Sequence, residues 1–296
     1  MTTFGSFSDR WTLSNGVQIP CLGFGTYRHM VSTEISVEMN KYATQSGYRL
    51  FDTASVYRNE RSIGDALRQS GVPREDFFVV SKVWDQDQGY DSTLAVIEES
   101  LTDLGFDYID LYLIHWPVAA GHEDDWQQMN LETWRAMEKC YRDGKLRAIG
   151  VSNFLEHHLQ PLMAAAEIPV MANEIEMNIG FCQYDIRRFC RAHGIRTIAY
   201  SPLAGIGKEF AELSEICKKY NKTQAQIILR WVYQHDTIAI PSSYDCGRMV
   251  ENTAIFDFRL NSEEMAVLDS IEDPGRRHNN PDARLTQVDR HTRPKI

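Results

Sequence analysis

Short apolar runs alternate along the chain with longer stretches in which apolar residues recur every three or four positions. The short runs are rich in β-branched side chains and predict strands, and the longer stretches predict helices. Two of these stretches, residues 92–105 and 131–145, have a glycine at their end, Gly105 and Gly144, as is typical of a helix C-terminus. We predict eight strands, at residues 22–25, 49–52, 77–82, 109–115, 148–152, 171–175, 197–201 and 237–241.

Successive strand-helix units without a Gly/Ser-rich linker predict a parallel sheet closed into a (β/α)8 TIM barrel. We expect one domain over residues 1–296. Ahead of the first strand, Asn15 and Gly16 separate two short alternating runs, which predicts a β-hairpin across the bottom of the barrel. The last segment, residues 276–296, holds six Arg or Lys against two Asp. We expect this basic C-terminal tail near the mouth of the barrel, either folded over it or solvated.

Composition excludes several classes of protein. With 43% hydrophobic and 24% charged residues the chain is neither disordered nor fibrous, and its formal net charge of −10 disfavours nucleic acids and anionic membranes as partners. It has no apolar run long enough to span a bilayer and no secretion signal, so we expect a cytoplasmic location. We also expect a monomer. The six cysteines show no metal-ligand spacing, and we predict reduced thiols and no metal site.

Polar side chains stand at the ends of three consecutive predicted strands. Asp52 ends the second, Lys82 the third and His115 the fourth, and Tyr57 lies in the loop that follows Asp52. In a TIM barrel these carboxyl ends face one common axis. An ammonium held by a carboxylate favours the phenolate form of a nearby tyrosine. The set therefore predicts proton transfer to a carbonyl oxygen that His115 also hydrogen-bonds.

Each of these residues also has a purely structural interpretation. An Asp and a Lys at a barrel mouth can form an ion pair that only stabilises the fold, and a His before Trp-Pro can be packed in the core. We favour the functional interpretation because four such groups together are rarely a coincidence.

Motifs that include these strand ends follow one another in a fixed order. They are GYRLFDTASVYRNERSIG (47–64), SKVW (81–84), LIHWP (113–117), GKLRAIGVSN (144–153), YSPLA (200–204) and IPSS (240–243). In order and spacing the chain resembles the aldo-keto reductases, and in its Pro-Ser-Ser it is most similar to the bacterial branch that includes the 2,5-diketogluconate reductases. The resemblance implies reversible hydride transfer between a nicotinamide and a carbonyl or alcohol substrate. Tyr57 would be the general acid, Lys82 and Asp52 the pair that tunes it, and His115 the residue that orients the substrate oxygen.

The same resemblance assigns cofactor contacts to the later strands. Ser152 and Asn153 correspond to the pair that binds the carboxamide, and Tyr200 to the aromatic residue that stacks on the nicotinamide. Glu174 stands where the family more often has Gln, and an ionised carboxylate accepts hydrogen bonds but cannot donate one. The further cofactor-binding residues implied are Ser201, Leu203, Gly205, Lys208, Ser242, Ser243, Arg248, Glu251 and Asn252.

The phosphates need a site of their own, because no Gly-x-Gly-x-x-Gly motif follows a strand and a Rossmann fold is therefore disfavoured. Gly205, Gly207 and Lys208 stand at a predicted helix start, where backbone N–H groups favour an anion such as a pyrophosphate.

The choice between NADP(H) and NAD(H) depends on the 2′-phosphate. Ser242 follows Pro241 where many relatives have Lys, whereas Arg248 remains in register and Ser243 adds a hydroxyl donor. We expect NADP(H), with NAD(H) use left open.

Substrate contacts are predicted for aromatic residues of the long loops. They are Tyr27, Trp84, Trp116 and, in the polar loop 122–130, Trp126, although each could equally belong to the core. Aromatic walls favour apolar aldehydes and ketones, whereas a basic tail would attract anionic keto acids.

Two other classes of protein remain as alternatives. The first is a nucleotide-binding regulatory module with little turnover, like the β-subunits of potassium channels. The second is a lyase or hydrolase on a similar barrel, which would need a metal cluster or a Schiff base on Lys82. We disfavour the latter because Asp52 would hold that lysine protonated and non-nucleophilic.

Overall fold

A computed structural model of the chain describes residues 5–27, 32–119, 121–273 and 279–282. Its strands are β1 (Arg10–Thr12), β2 (Gln18–Pro20), β3 (Phe24–Gly25), β4 (Leu50–Asp52), β5 (Phe78–Val83), β6 (Leu111–Ile114), β7 (Ile149–Ser152), β8 (Ala172–Glu176), β9 (Arg196–Tyr200) and β10 (Ile238–Ala239). Its helices are α1 (Thr33–Gln45), α2 (Glu60–Gln69), α3 (Tyr90–Leu104), α4 (Trp126–Arg142), α5 (Glu156–Ala165), α6 (Tyr184–Ala192), α7 (Ala211–Tyr220), α8 (Gln224–Gln234), α9 (Cys246–Glu251) and α10 (Ser262–Asp269). Within these described ranges, no helix has the length and apolarity that a membrane span requires.

Strands β3 to β10 lie side by side in chain order, and every neighbouring pair is parallel. A parallel bridge between Leu22 and Ala239 joins the first strand to the last, and the Gly23 N–H donates to the Ala239 carbonyl at 2.9 Å. Gly25 permits this approach, because a Cβ there would lie 2.8 Å from the Ile240 carbonyl oxygen. The closed ring confirms the predicted (β/α)8 barrel and its eight strands.

Strand β5 shows how the barrel divides its side chains. All six of its residues are buried. Because successive side chains point to opposite faces of a strand, Lys82 projects into the barrel and Ser81 projects toward the helices. The Ser81 hydroxyl donates to Glu60 of α2 at 2.6 Å. Each polar residue of this apolar run therefore has a different place. Ser81 hydrogen-bonds a buried partner outside the barrel, and Lys82 lies at the barrel mouth.

The N-terminal hairpin of β1 and β2 lies at the amino-terminal ends of the barrel strands. Gly16 in its turn has a φ of +89°, which favours glycine. Arg10 donates to the Asp76 carbonyl just before β5, and Asn15 donates to the Arg147 carbonyl just before β7. The hairpin therefore covers the bottom of the barrel, as predicted.

The loop after β9 departs from the prediction. Residues 201–208 form consecutive turns, and α7 begins only at Ala211, so the helix start predicted around Gly205 and Lys208 is wrong. The physical reason is the backbone of Gly205 and Gly207, whose φ angles of +87° and +89° are left-handed and interrupt a right-handed helix.

Candidate active site

A buried ion pair lies at the mouth of the barrel. Lys82 on β5 places its Nζ 2.7 and 2.6 Å from the two carboxylate oxygens of Asp52 on β4, and 3.0 Å from the Thr53 carbonyl oxygen. Lys82 is completely buried and Asp52 almost completely. Because the ammonium donates to three oxygens, its position is fixed by two adjacent strands.

Tyr57 lies beside this pair at the end of a short 3-10 helix, Ser55–Tyr57. The Ser55 hydroxyl donates to the Lys82 carbonyl at 3.0 Å and ties the loop to β5. The Lys82 Nζ lies 5.5 Å from the centre of the Tyr57 ring, which is itself buried. The loop therefore holds a buried phenol close to a buried ammonium.

His115 follows β6 and completes this group of side chains. Its ring centre lies 5.7 Å from that of Tyr57 and 5.0 Å from that of Trp84. Burial, and after it the charge of Lys82, lowers the pKa of His115 well below its usual value. The imidazole is therefore neutral at neutral pH and carries one N–H donor.

Glu174 on β8 reaches the same ion pair from across the barrel. Its Oε1 lies 3.3 Å from the Lys82 Nζ, and both side chains are buried. Its Oε2 has no hydrogen-bond partner among the described residues. Burial, followed by the charge of Asp52, raises the pKa of Glu174 well above its ordinary value against the opposing effect of Lys82. One ammonium is therefore shared by two carboxyl groups, and the environment of Glu174 favours its uncharged form.

Ser152, Asn153 and Tyr200 form a hydrogen-bonded row beside Glu174. The Ser152 hydroxyl and the Asn153 backbone N–H donate to the Glu174 carbonyl, at 3.1 and 2.8 Å. The Tyr200 hydroxyl donates to Asn153 Oδ1 at 2.8 Å, and the Asn153 side-chain amide donates to the His115 carbonyl at 3.0 Å. The row joins the ends of β7, β8 and β9 to the residue that follows β6.

A groove of about 980 Å³ extends from the end of β9 to α9. Arg248 of α9 is exposed in it, and its guanidinium forms no ion pair within the described ranges. Glu251 accepts a hydrogen bond from the Thr223 hydroxyl at 2.7 Å. The groove is lined by residues 201–204, 206, 207, 223–225, 241–245, 248, 251 and 252.

Comparison with known proteins decides the family. The sequence profile described as "Aldo/keto reductase family" matches residues 21–273. The chain belongs to the aldo/keto reductase family. It is 44% identical over 281 residues to the glyoxal reductase of Bacillus subtilis (strain 168), an alignment that covers 95% of this chain and 99% of that relative.

Two solved structures show the same similarity in three dimensions. The aldo/keto reductase from Brucella melitensis has a TM-score of 0.83 at 39% identity, over 88% of this chain and 98% of that one. The Bombyx mori aldo-keto reductase in complex with NADP has a TM-score of 0.83 at 32% identity, over 97% and 98% of the two chains. The resemblance inferred from the motifs is confirmed at the level of the family.

In this aldo/keto reductase the residues predicted for proton transfer lie together, and so do most of those predicted for the cofactor. Ser201, Leu203, Ser242, Ser243, Arg248, Glu251 and Asn252 all line the groove. Gly205 and Lys208 do not. The Lys208 ammonium instead pairs with both carboxylate oxygens of Asp273 at 2.6 Å. The Ser243 hydroxyl donates to the Asp245 carbonyl at 3.2 Å, so it is already engaged within the loop.

The aromatic residues predicted for the substrate divide into two places. Trp84 and Trp116 pack with Tyr57 in a small apolar cluster, and the ring of Tyr27 lies 5.0 Å from that of Tyr57. Trp126 is the first residue of α4 rather than part of a loop, and its ring contacts His158 of α5. The helical repeat thus begins earlier than the polar residues around Trp126 indicate.

Asp85 is a buried acid at this mouth that the sequence analysis did not single out. It follows Trp84 directly, and neither of its carboxylate oxygens has a hydrogen-bond partner among the residues described. Burial raises its pKa to about 7. The acidic and polar residues that follow Trp84 could have indicated this buried acid, because such a stretch is unusual at the end of a buried strand.

The structure also assembles two groups of metal-ligand residue types that lie far apart in sequence. Cys182, His235 and Asp269 form one group, and His157, His158 and Asp282 form the other. In the first, Arg187 donates to the Cys182 sulfur at 2.8 Å, and its positive charge opposes a metal ion. In the second, His158 Nδ1 accepts from the Leu155 N–H, which leaves the proton on the nitrogen that faces Asp282. Both groups are thus held by hydrogen bonds within the protein.

The second group also shows where part of the C-terminal tail lies. Asp282 contacts His157 at 2.6 Å and His158 at 3.0 Å. Asn279 hydrogen-bonds the Tyr200 side chain. This contact lowers the pKa of Tyr200, against the larger effect of burial, which raises it. Residues 279–282 therefore cross the mouth of the barrel, and the other tail residues, 276–278 and 283–296, lie outside the described residues.

Proposed function

We propose that this aldo/keto reductase uses NADPH to reduce small aldehydes and ketones, with proton transfer by Tyr57, Lys82, Asp52 and His115. The observation that carries the proposal is a buried phenol, a buried ammonium and a neutral imidazole grouped at one point of the barrel mouth. All of these groups lie in one barrel, and we propose that the enzyme acts as a single-domain monomer.

In this proposal Tyr57 gives its proton to the carbonyl oxygen of the substrate. A phenol has an ordinary pKa of about 10, and a neighbouring ammonium stabilises the phenolate that remains. Although burial opposes its charged form, Asp52 and Glu174 raise the pKa of Lys82, so the ammonium persists. His115 donates its N–H to the same oxygen and orients it. In the reverse reaction Tyr57 accepts the proton from the alcohol.

The cofactor would be held by the residues that surround this group. Bound NADPH would supply the hydride that adds to the carbonyl carbon. Ser152, Asn153, Glu174 and Tyr200 would hold its nicotinamide end, and the unpartnered Glu174 Oε2 fits the need to bind the carboxamide.

The groove would hold the phosphates and the adenosine. The exposed Arg248 guanidinium suits a 2′-phosphate, because its planar fork can donate two hydrogen bonds to it, and this favours NADP(H). Because the neighbouring Ser242 carries no charge, we expect NAD(H) to bind too, but more weakly. The NADP complex of the Bombyx mori relative supports this assignment.

The wall of Tyr27, Trp84 and Trp116 favours a compact apolar carbonyl compound. The name of the Bacillus subtilis relative, glyoxal reductase, supports a small dicarbonyl as the first substrate to test. All six cysteines are unpaired, which agrees with a reducing cytoplasm.

A titration of the purified protein tests the proposal. NADPH and then NADH are added while tryptophan fluorescence is followed, and methylglyoxal or a keto acid is added afterwards. We expect NADPH to bind more tightly and to be oxidised when the carbonyl compound is added. Binding without oxidation across a broad panel of carbonyl compounds would instead support the regulatory module.

A further inference from the structure

Glu174 contacts two parts of the proposed site, one through its carboxyl group and the other through its backbone carbonyl. On one side its Oε1 lies 3.3 Å from the Lys82 Nζ, which Asp52 also binds. On the other side its own backbone carbonyl accepts from Ser152 and Asn153, the residues proposed to hold the nicotinamide. Its Oε2 is buried and has no hydrogen-bond partner in the part of the chain that is described. Glu174 therefore places a buried, unpartnered carboxyl oxygen beside a fixed charge, on a residue whose backbone contacts the residues proposed to hold the cofactor.

Three titratable groups around Glu174 keep one state near neutral pH. Lys82 stays an ammonium, because Asp52 beside it raises its pKa against burial. His115 stays neutral because its pKa is lowered, and Tyr200 stays a phenol because burial, then Glu176, raises its pKa. The other titratable side chains around Glu174 and Tyr200 are Asp52, Glu176 and Tyr57. Glu174 is the group here whose proton can leave, because burial, followed by the charge of Asp52, raises its pKa.

We propose that Glu174 responds to the charge of the bound cofactor: it meets the neutral reduced nicotinamide as an uncharged acid and releases its proton when the positively charged oxidised ring is bound. The inference rests on the proposed function, because it needs the nicotinamide beside Ser152 and Asn153.

The chemistry follows from the two states of a carboxyl group. An uncharged carboxyl offers one O–H donor and acceptor oxygens, as glutamine offers an N–H donor and an acceptor, so it suits a neutral carboxamide-bearing ring. A carboxylate only accepts, but it attracts a cation strongly in a desolvated site. Binding of NADP+ would therefore lower the pKa of Glu174, and the proton would pass to the buffer. By linkage, NADP+ affinity rises relative to NADPH affinity as pH rises, by about tenfold for each unit of that pKa change.

Calorimetry counts the released protons directly. Wild-type protein is titrated with NADP+ and separately with NADPH near neutral pH, each in several buffers that differ in ionisation enthalpy. We expect NADP+ to release more protons than NADPH does. The 2′-phosphate is common to both cofactors, so its own protonation cancels in the difference.

Two variants assign the proton to Glu174. Glu174→Gln keeps the shape and removes the titration, so the difference between the two cofactors should vanish. Glu60→Gln is the matched control, because Glu60 is a buried acid whose pKa burial raises to about 7, but it is bonded to Ser81 outside the barrel. We expect Glu60→Gln to leave the difference unchanged.

Each result decides the inference. Equal proton release with both cofactors in the wild type would overturn it, even if Glu174→Gln failed to fold. A difference that persists in Glu174→Gln would also overturn it, and in both cases the proposed function would stand. If neither cofactor bound, the proposed function itself would fail and this inference with it.

Discussion

The residues proposed for proton transfer lie at the ends of β4, β5 and β6 and are buried, whereas the groove proposed for the phosphates is formed by the loop after β9 and by α9. The two regions differ in how their positively charged side chain is buried and paired. Lys82 is completely buried and shared by Asp52 and Glu174, while Arg248 is exposed and has no ion pair among the residues described. A desolvated charge perturbs its neighbours strongly, and an exposed one is available to a ligand. The barrel mouth is thus suited to moving protons and the groove to exchanging an anion.

Tyr57→Phe should separate the two regions most clearly. The change removes only the proposed acid, so kcat for carbonyl reduction should fall by about 10²–10⁴-fold. The affinity for NADPH, measured by tryptophan fluorescence, should stay unchanged because the groove is untouched. Retained turnover would mean that another residue supplies the proton.

Asp52→Asn should lower both stability and activity. It leaves the buried Lys82 with the more distant Glu174 as its remaining acidic partner, and loss of one partner of a buried pair costs about 3 kcal/mol of unfolding free energy. Urea denaturation and kcat measure the two effects.

Asp110→Asn is the control for that change, because Asp110 is also buried and binds Arg74 at 2.7 Å and Arg147 at 2.8 Å, away from the barrel mouth. We expect it to lower the free energy of unfolding without lowering kcat. A comparable loss of kcat in Asp110→Asn would show that Asp52 acts only through the fold.

Arg248→Ala should act on the groove alone. Loss of charge-assisted hydrogen bonds to a 2′-phosphate should raise the Kd for NADPH by about 10-fold or more and leave the Kd for NADH almost unchanged. Lys208→Ala is the matched control, because Lys208 already pairs with Asp273 and does not line the groove, so both Kd values should stay unchanged. Equal weakening of NADPH and NADH by Arg248→Ala would contradict the role in the 2′-phosphate.

The smallest expected effect is that of His115 on the pH dependence of kcat/KM and of stability. Its folded-state pKa lies well below the ordinary value of about 6.5, so the neutral donor persists as the pH falls through that value. The profile of kcat/KM should therefore show no decrease centred near 6.5. Since the unfolded chain takes up this proton first, the contribution of His115 to stability should decrease as pH falls below about 6.5. A decrease in kcat/KM near 6.5 that disappears in His115→Asn would contradict the prediction.

Strand ends are the part of the site that could be predicted from the sequence. A buried parallel strand forms an apolar run, so a polar residue at its end is conspicuous, as Asp52 and Lys82 are. The parallel register of neighbouring strands then brings such residues together. The eight strands could be located from their apolar runs, and the hairpin from its Asn15-Gly16 turn.

Contacts across the barrel and within loops could not be predicted in this way. Glu174 meets Lys82 although β8 and β5 are not neighbours, because the contact depends on how side chains fill the interior. Lys208 stands in a glycine-rich stretch typical of an anion site, yet Asp273, far along the chain, holds its ammonium. Local pattern carries no information about such partners.

The bridge between Leu22 and Ala239 also determines when, during synthesis of the chain, the barrel can close. During synthesis, all four proposed proton-transfer residues leave the ribosome before Glu174, and the strand that closes the ring leaves later still. Until then, β3 offers an unpaired edge that can join other chains. The nascent barrel therefore keeps an open edge until residue 239 has been made, and reduction must wait for the last strand.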